Sequence, residues 1–89
     1  MTISRTVLIA NRRGLHARAS AKFVTLATQQ PVPVQVAKGG STVTGTSIMG
    51  LMMLGAAKGD TITISAAGDN AESAVEAMCA LVEAKFGEE

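Results

Sequence analysis

Gly14-Leu15-His16-Ala17-Arg18-Ala19-Ser20-Ala21 marks a passage from a polar loop into a helix, and the elements on either side follow from where that passage falls. After it, Ala19, Phe23, Leu26 and Ala27 stand at i, i+4, i+7 and i+8, the spacing of a helical face turned to a core. Arg18, Lys22, Thr25 and Gln29 recur on the opposite, solvated face. Gln29-Gln30-Pro31 ends the helix, because proline disfavours helical geometry in the residue before it. Ahead of the passage, Asn11-Arg12-Arg13-Gly14 is a polar loop. Thr2 to Ala10 before it is rich in β-branched residues, with Ile3, Val7 and Ile9 on one face of a first strand.

Beyond the helix, Val32, Val34 and Val36 alternate with Pro33 and Gln35, which predicts a strand with one buried face. Pro33 has no N–H for a ladder and argues for an edge position or an irregular start. Lys38-Gly39-Gly40 turns into a short strand, Ser41 to Thr44. Ser47 to Leu54 reads as a short helix closed by Gly55, with Ile48, Leu51 and Met52 as its apolar stripe and Met49 and Met53 widening it. Three of the five methionines lie here, which suits either core packing or an adaptable contact surface. Lys58-Gly59-Asp60 turns into the strand Thr61 to Ala67. A last helix begins after Gly68, where Asp69 and Glu72 have the spacing of a capping pair. Its stripe is Ala71, Ala74, Val75, Met78, Leu81 and Val82, running toward Phe86, with Cys79 on the packed side. The order is βαββαβα, an α+β pattern that by itself permits several sandwiches.

Eighty-nine residues suffice for one domain, 1–89, with a modest core. With two aromatics, both phenylalanine, that core is built from Val, Ile, Leu, Ala and Met. A single cysteine cannot form an internal disulfide, no apolar run has membrane-spanning length, and the first residues start no signal peptide; a cytoplasmic protein is expected. The net charge of +1 hides a segregation: every basic residue but Lys85 precedes the first acid, Asp60. The half that carries His16 is purely basic and favours an anionic partner. Nucleic acid fits less well than an acidic protein surface, since stacking aromatics and a reader motif are missing. A phosphate-binding loop of the Walker type is absent as well, and nothing calls for a cofactor or a metal.

His16 is the only histidine. A neutral imidazole is a competent nucleophile near neutral pH. At a helix start it stands beside unpaired backbone N–H groups and the positive end of the helix dipole, where an anion is stabilised. Arg18 adds a planar fork of donors suited to phosphate. An ordinary surface histidine and arginine would satisfy the same chemistry.

The octapeptide also resembles the phosphohistidine signature of the HPr family, phosphocarriers of the bacterial phosphoenolpyruvate-dependent phosphotransferase system. A second segment, Gly45-Thr46-Ser47-Ile48-Met49-Gly50-Leu51-Met52-Met53-Leu54-Gly55, is similar to the family's regulatory-serine region, in register and at the usual separation. The resemblance covers essentially the whole chain. It implies an open-faced β-sandwich: a four-stranded antiparallel sheet with three helices on one face. It further implies that His16 takes a phosphoryl group on Nδ1 from enzyme I and hands it to an enzyme IIA-type acceptor. Arg18 and the amides near Ala17 would stabilise the group, with no cofactor and no free-standing enzymatic activity. Ala17, Ala21, Ile48, Met49 and Met52 become the expected docking residues. Ser47, an N-cap by its position, aligns with the serine that a dedicated kinase phosphorylates in some members. Two departures stand out: Thr46 where Lys, Arg, Asn or Asp is usual, and Ala19 where many sugar-transport members have proline. The second leaves open a nitrogen-related regulatory role beside, or instead of, sugar uptake. Two other classes compete: a docking module of the same fold without phosphotransfer, and an enzyme with a phosphohistidine intermediate. The second of these is disfavoured because the sequence offers no second acid or base near His16.

Overall fold

The computed structural model describes residues 1–88. Its elements are β1 Thr2–Leu8, α1 Ala17–Thr28, β2 Val34–Lys38, β3 Ser41–Thr44, α2 Ile48–Met53, β4 Thr61–Ala67 and α3 Ala71–Glu83, followed by a 3₁₀ turn, Lys85–Gly87. The strands form one antiparallel sheet in the order β1-β4-β2-β3, and the helices cover one face, the open-faced sandwich expected. Registry follows the alternation: Val7 pairs with Ile62, Val36 with Ile64 and Val34 with Ala66, all buried beneath the helices. The other face carries short polar side chains, and Thr6 and Thr63 bring their hydroxyls to 3.1 Å across β1 and β4.

β2 is an inner strand, so Pro33 does not mark an edge. It marks the irregular start, and the ladder begins at Val34, one residue beyond it. β1 likewise stops at Leu8, although Ile9 continues the buried face; its N–H leaves the ladder and donates to the Asp60 carbonyl at 2.8 Å. In α1 the buried positions are Ala19, Ser20, Phe23 and Ala27, while Leu26 is half-buried. Ser20 tolerates burial because its hydroxyl donates to the Leu15 carbonyl at 3.2 Å.

The expected Asp69–Glu72 capping pair does not form. Asn70 is the N-cap of α3, in the left-handed conformation and without a side-chain cap bond, and the Ala71 N–H reaches the Gly68 carbonyl at 3.2 Å. The stripe of α3 is buried as its spacing predicts except at Leu81, which is half-buried; Cys79 is buried too, and desolvation pushes its thiol above its ordinary value. Phe86 is also fully buried. The chain reaches it through left-handed backbone at Lys85, Phe86 and Gly87 instead of a continued helix. Burial of such a ring contributes about 1.5–3 kcal/mol.

α2 has six residues, and only Leu51 is buried within it, with Leu54 buried just beyond. Ile48 and Met52, read as part of the apolar stripe, are 41 % and 42 % exposed, and Met49 and Met53 are 69 % and 80 % exposed. The three methionines of α2 are surface, not core. Among the described residues no helix is long and apolar enough to cross a membrane.

Candidate functional site

The loop before α1 is held by backbone. Gly14 has φ +63°, and a Cβ there would lie 2.3 Å from the Ala56 carbonyl oxygen, so only glycine admits this approach. The next residue secures it, as the Leu15 N–H donates to that same carbonyl at 2.9 Å. The start of α1 is thereby fastened to the segment that follows α2. Asn11, fully buried, braces the turn from the other side: its Nδ2 donates to the Gly14 carbonyl at 2.9 Å, and its main-chain carbonyl accepts the Gly14 N–H at 3.3 Å.

This places His16 at the N-cap of α1. Its backbone is extended (φ −77°, ψ −179°), and its carbonyl accepts the first helical bond, from the Ser20 N–H at 2.8 Å. A helix begins with N–H groups that have no intrahelical partner; here they belong to Ala17, Arg18 and Ala19. No acidic residue sits in the first turn of α1 to neutralise that positive end. The His16 side chain does not cap the helix itself. Its Nε2 is 2.7 Å from Glu88 Oε2, with the two side chains 21 % and 16 % exposed. Glu88 Oε1 accepts a second bond, from Asn11 Nδ2 at 3.2 Å. The hydrogen bond from His16 is the main cause that holds the Glu88 carboxyl below the usual carboxylate range, with Asn11 and the charges of His16 and Lys22 adding to it against partial desolvation. Among the described residues His16 Nδ1 has no hydrogen-bond partner.

Arg12, Arg13, His16, Arg18 and Glu88 line a shallow depression of about 250 Å³. The three arginines are exposed. Lys22, one turn further along α1, donates from Nζ to the Phe86 carbonyl at 2.7 Å and fixes the tail against the helix. The arrangement offers an imidazole nitrogen with a free lone pair, unpaired helix amides and guanidinium groups, all suited to an anionic group of phosphate chemistry.

The sequence-predicted residues divide into two sets. His16 and Arg18 share the depression, with Ala17 exposed and Ala21 half-buried along the same helix. Ile48, Met49 and Met52 lie on α2, which packs against α1, and all three are exposed. Ser47 is the N-cap of α2: its Oγ accepts the Gly50 N–H at 2.9 Å, as its position predicted. Among the described residues no hydrogen bond or ion pair joins it to the His16 group. Two residues of the site, one lining the depression and one buried behind it, were not foreseen. Glu88 comes from 72 positions away in the chain, so the expectation of no acid near His16 is corrected. Asn11 is a member of the polar loop whose only local signal is its place three residues before a glycine.

The family description "PTS HPr component phosphorylation site" matches residues 3–84. Phosphocarrier protein HPr of Neisseria meningitidis is 45 % identical over 86 residues, 97 % of each chain. Phosphocarrier protein NPr of Shewanella violacea is 41 % identical over 86 residues, 97 % of this chain and 94 % of that one. Among solved structures, an HPr from Thermoanaerobacter tengcongensis superposes with a TM-score of 0.91 at 42 % identity over 98 % of both chains. One from Bacillus anthracis gives 0.84 at 38 % identity over 89 % of this chain and 94 % of that one. Whole-length identity, superposition and the histidine at a helix start agree: the chain belongs to the HPr/NPr family, phosphocarriers of the phosphotransferase system that relay a phosphoryl group on histidine and are not free-standing enzymes.

Proposed function

We propose that His16 accepts a phosphoryl group on Nδ1 from phosphorylated enzyme I and passes it to an enzyme IIA-type acceptor in the cytoplasm. The observation that carries this reading is the position of His16 as the N-cap residue of α1, with Nδ1 unpartnered among the described residues and Arg18 on the same depression. Phosphoryl transfer asks the protein for positioning and for stabilisation of charge on the equatorial oxygens. The free amides of Ala17 and Arg18 and the Arg18 guanidinium supply donors for those oxygens. Closure of a partner over the depression excludes water and strengthens each of these contacts. Ala17, Ala21, Ile48, Met49 and Met52 form the docking surface, small enough for complexes that must form and part at every transfer. A phosphate placed on Ser47 by a serine kinase would put about two negative charges beside that surface and oppose docking. The relay serves sugar uptake, nitrogen-related regulation or both.

Intact mass decides the central claim. With phosphoenolpyruvate, Mg²⁺ and a bacterial enzyme I, the protein is expected to gain one acid-labile phosphoryl group, and His16→Ala to gain none. Folded protein that stays unlabelled with several enzyme I homologues would overturn the carrier reading in favour of a docking module.

A further inference from the structure

Five methionines and one cysteine hold all the sulfur of the chain. Met78 and Cys79 are buried in α3, and desolvation raises the Cys79 thiol, which suppresses the reactive thiolate. Met1 is exposed at the end of β1 remote from the His16 loop, where its carbonyl accepts the Gly68 N–H at 3.2 Å. The remaining three, Met49, Met52 and Met53, fall within one six-residue helix and are all exposed. Two contacts set the roll of α2. Leu51 enters the core, and Gly50 lies so close to β3 that a Cβ there would stand 3.0 Å from Val43 Cβ. The outward arc is left to Met49 and Met53, one turn apart, with Met52 and Ile48 beside them.

A surface shared by two unlike partners favours methionine, whose unbranched thioether repacks against different contours. The thioether is also open to oxidation, whereas leucine or isoleucine would offer similar apolar area without that chemistry. We infer that Met49, Met52 and Met53 form an oxidation site through which a peroxide weakens docking of the transfer partners. The inference rests on the docking surface of the carrier reading above. In the reaction a sulfur lone pair attacks one peroxide oxygen and forms the S–O bond. The O–O bond breaks with its electron pair on the second oxygen, which takes the proton of the first and departs as water. The sulfur loses two electrons and the peroxide gains them. The product sulfoxide is polar and hydrated in the free protein. Covered by an apolar partner surface, its oxygen gives up that water and receives no donor in exchange. Because these sulfurs stand on the solvent side of α2, the fold is kept and the cost falls on the complex. A methionine sulfoxide reductase reverses the step: two thiols close to a disulfide and the oxygen leaves as water.

The test treats the full-length protein with hydrogen peroxide and then removes the oxidant. Peptide mass mapping is expected to find one oxygen on each of Met1, Met49 and Met53, slower addition at Met52, and none on the buried Met78. The second-order rate of phosphoryl acceptance from phosphorylated enzyme I is expected to fall about tenfold. Methionine sulfoxide reductases A and B with dithiothreitol are expected to restore it. The variant carrying Met49→Leu, Met52→Leu and Met53→Leu is expected to react at the same rate before and after peroxide. Comparison within each protein cancels whatever the substitutions do to docking, and Met1, oxidised in both, is the internal control. Treated protein should keep its cooperative thermal unfolding by circular dichroism. Three results would each overturn the proposal: α2 unoxidised where Met1 is converted, an oxidised α2 with a rate within about twofold of the untreated protein, or an equal loss in the leucine variant. Loss of the unfolding transition would do the same, since the effect would then be denaturation. Untreated protein that takes no phosphoryl group fails the carrier reading itself and takes this proposal with it; normal acceptance before treatment confines any failure to the thioethers.

Discussion

Gly14 holds φ +63°, and a Cβ there would meet the Ala56 carbonyl oxygen at 2.3 Å and Ala57 Cα at 2.8 Å, backbone atoms that cannot step aside as a flexible side chain can. Gly14→Ala therefore combines left-handed strain with a backbone clash, and a loss of about 2 kcal/mol or more is expected in denaturant unfolding. The functional consequence goes beyond stability. Relief of the clash separates the loop from Ala56, lengthens the 2.9 Å bond from the Leu15 N–H, and shifts the start of α1 that carries His16. Phosphoryl acceptance in Gly14→Ala should fall even at temperatures where the variant is fully folded by circular dichroism. A variant destabilised as expected but labelled at the wild-type rate would show that the close approach serves the fold alone. Gly39 makes the contrast: its φ is +60°, but nothing lies within 4 Å of an added Cβ, so a substitution there meets conformational strain without a clash and leaves the His16 loop untouched.

At the scale of the element, α2 shows how an N-cap and a modification site coincide in one hydroxyl. Ser47 Oγ accepts the Gly50 N–H at 2.9 Å, and in a helix of six residues this one bond satisfies a large share of the unpaired donors. Ser47→Ala should cost about 1 kcal/mol in unfolding free energy. Ser47→Asp should cost little or nothing, because aspartate caps as well as serine and its charge suits a helix start. If the surface of Ile48, Met49 and Met52 docks partners, only the aspartate variant should slow phosphoryl acceptance; slowing of both in proportion to their stabilities would trace the effect to the helix and not to the charge. The same helix marks where local pattern stops being informative. A helix of fewer than two turns packs only Leu51 and its neighbour Leu54, so its remaining apolar residues face outward whatever their spacing. The strands and the long helices are legible because their alternation and stripes extend over many residues: Ile62, Ile64 and Ala66, or Ala71, Ala74, Val75, Met78 and Val82, are buried as read. The inner position of β2 is not legible, because strand order is set by contacts remote in sequence. The N-cap of α3 falls at Asn70 instead of Asp69 because the left-handed turn through Gly68 and Asn70 sets where the helix starts, and no side-chain bond caps it. The site divides along the same line. His16 and Arg18 fall within one helical turn, so the octapeptide announces them. Glu88 arrives by a turn of three left-handed residues with little in their sequence to predict it.

Over the whole molecule, the segregation of charge along the chain does not survive as a segregation in space. Arg5 meets Glu76 at 3.9 Å in an exposed pair and Lys38 meets Asp60 at 3.7 Å in a half-buried one, surface pairs of the kind that contribute about 0–1 kcal/mol. Their effect is to pair two cations with two acids, while Arg12, Arg13 and Arg18 stay clustered at the His16 end. There Arg12, Arg13 and Arg18 line the depression with Glu88 as the only carboxylate among the described residues, a local excess of positive charge on a protein of net charge +1. Such a patch acts on encounter more than on the lifetime of a complex. The second-order rate of phosphoryl acceptance from enzyme I should therefore fall by roughly tenfold as ionic strength rises from about 0.01 M to about 0.15 M, where the screening length drops from about 30 Å to about 8 Å. Arg12→Gln combined with Arg13→Gln leaves the proposed donors to the phosphoryl group in place, so it should lower the rate at low salt, flatten its salt dependence, and converge on wild type at high salt. Stopped-flow measurement of the transfer at several salt concentrations distinguishes the two contributions. A double variant whose rate stays depressed by the same factor at every salt concentration would place Arg12 and Arg13 in contact with the partner or the phosphoryl group. One that matches wild type throughout would leave encounter to the apolar surface of α2, where Met49 and Met53 are the most exposed side chains.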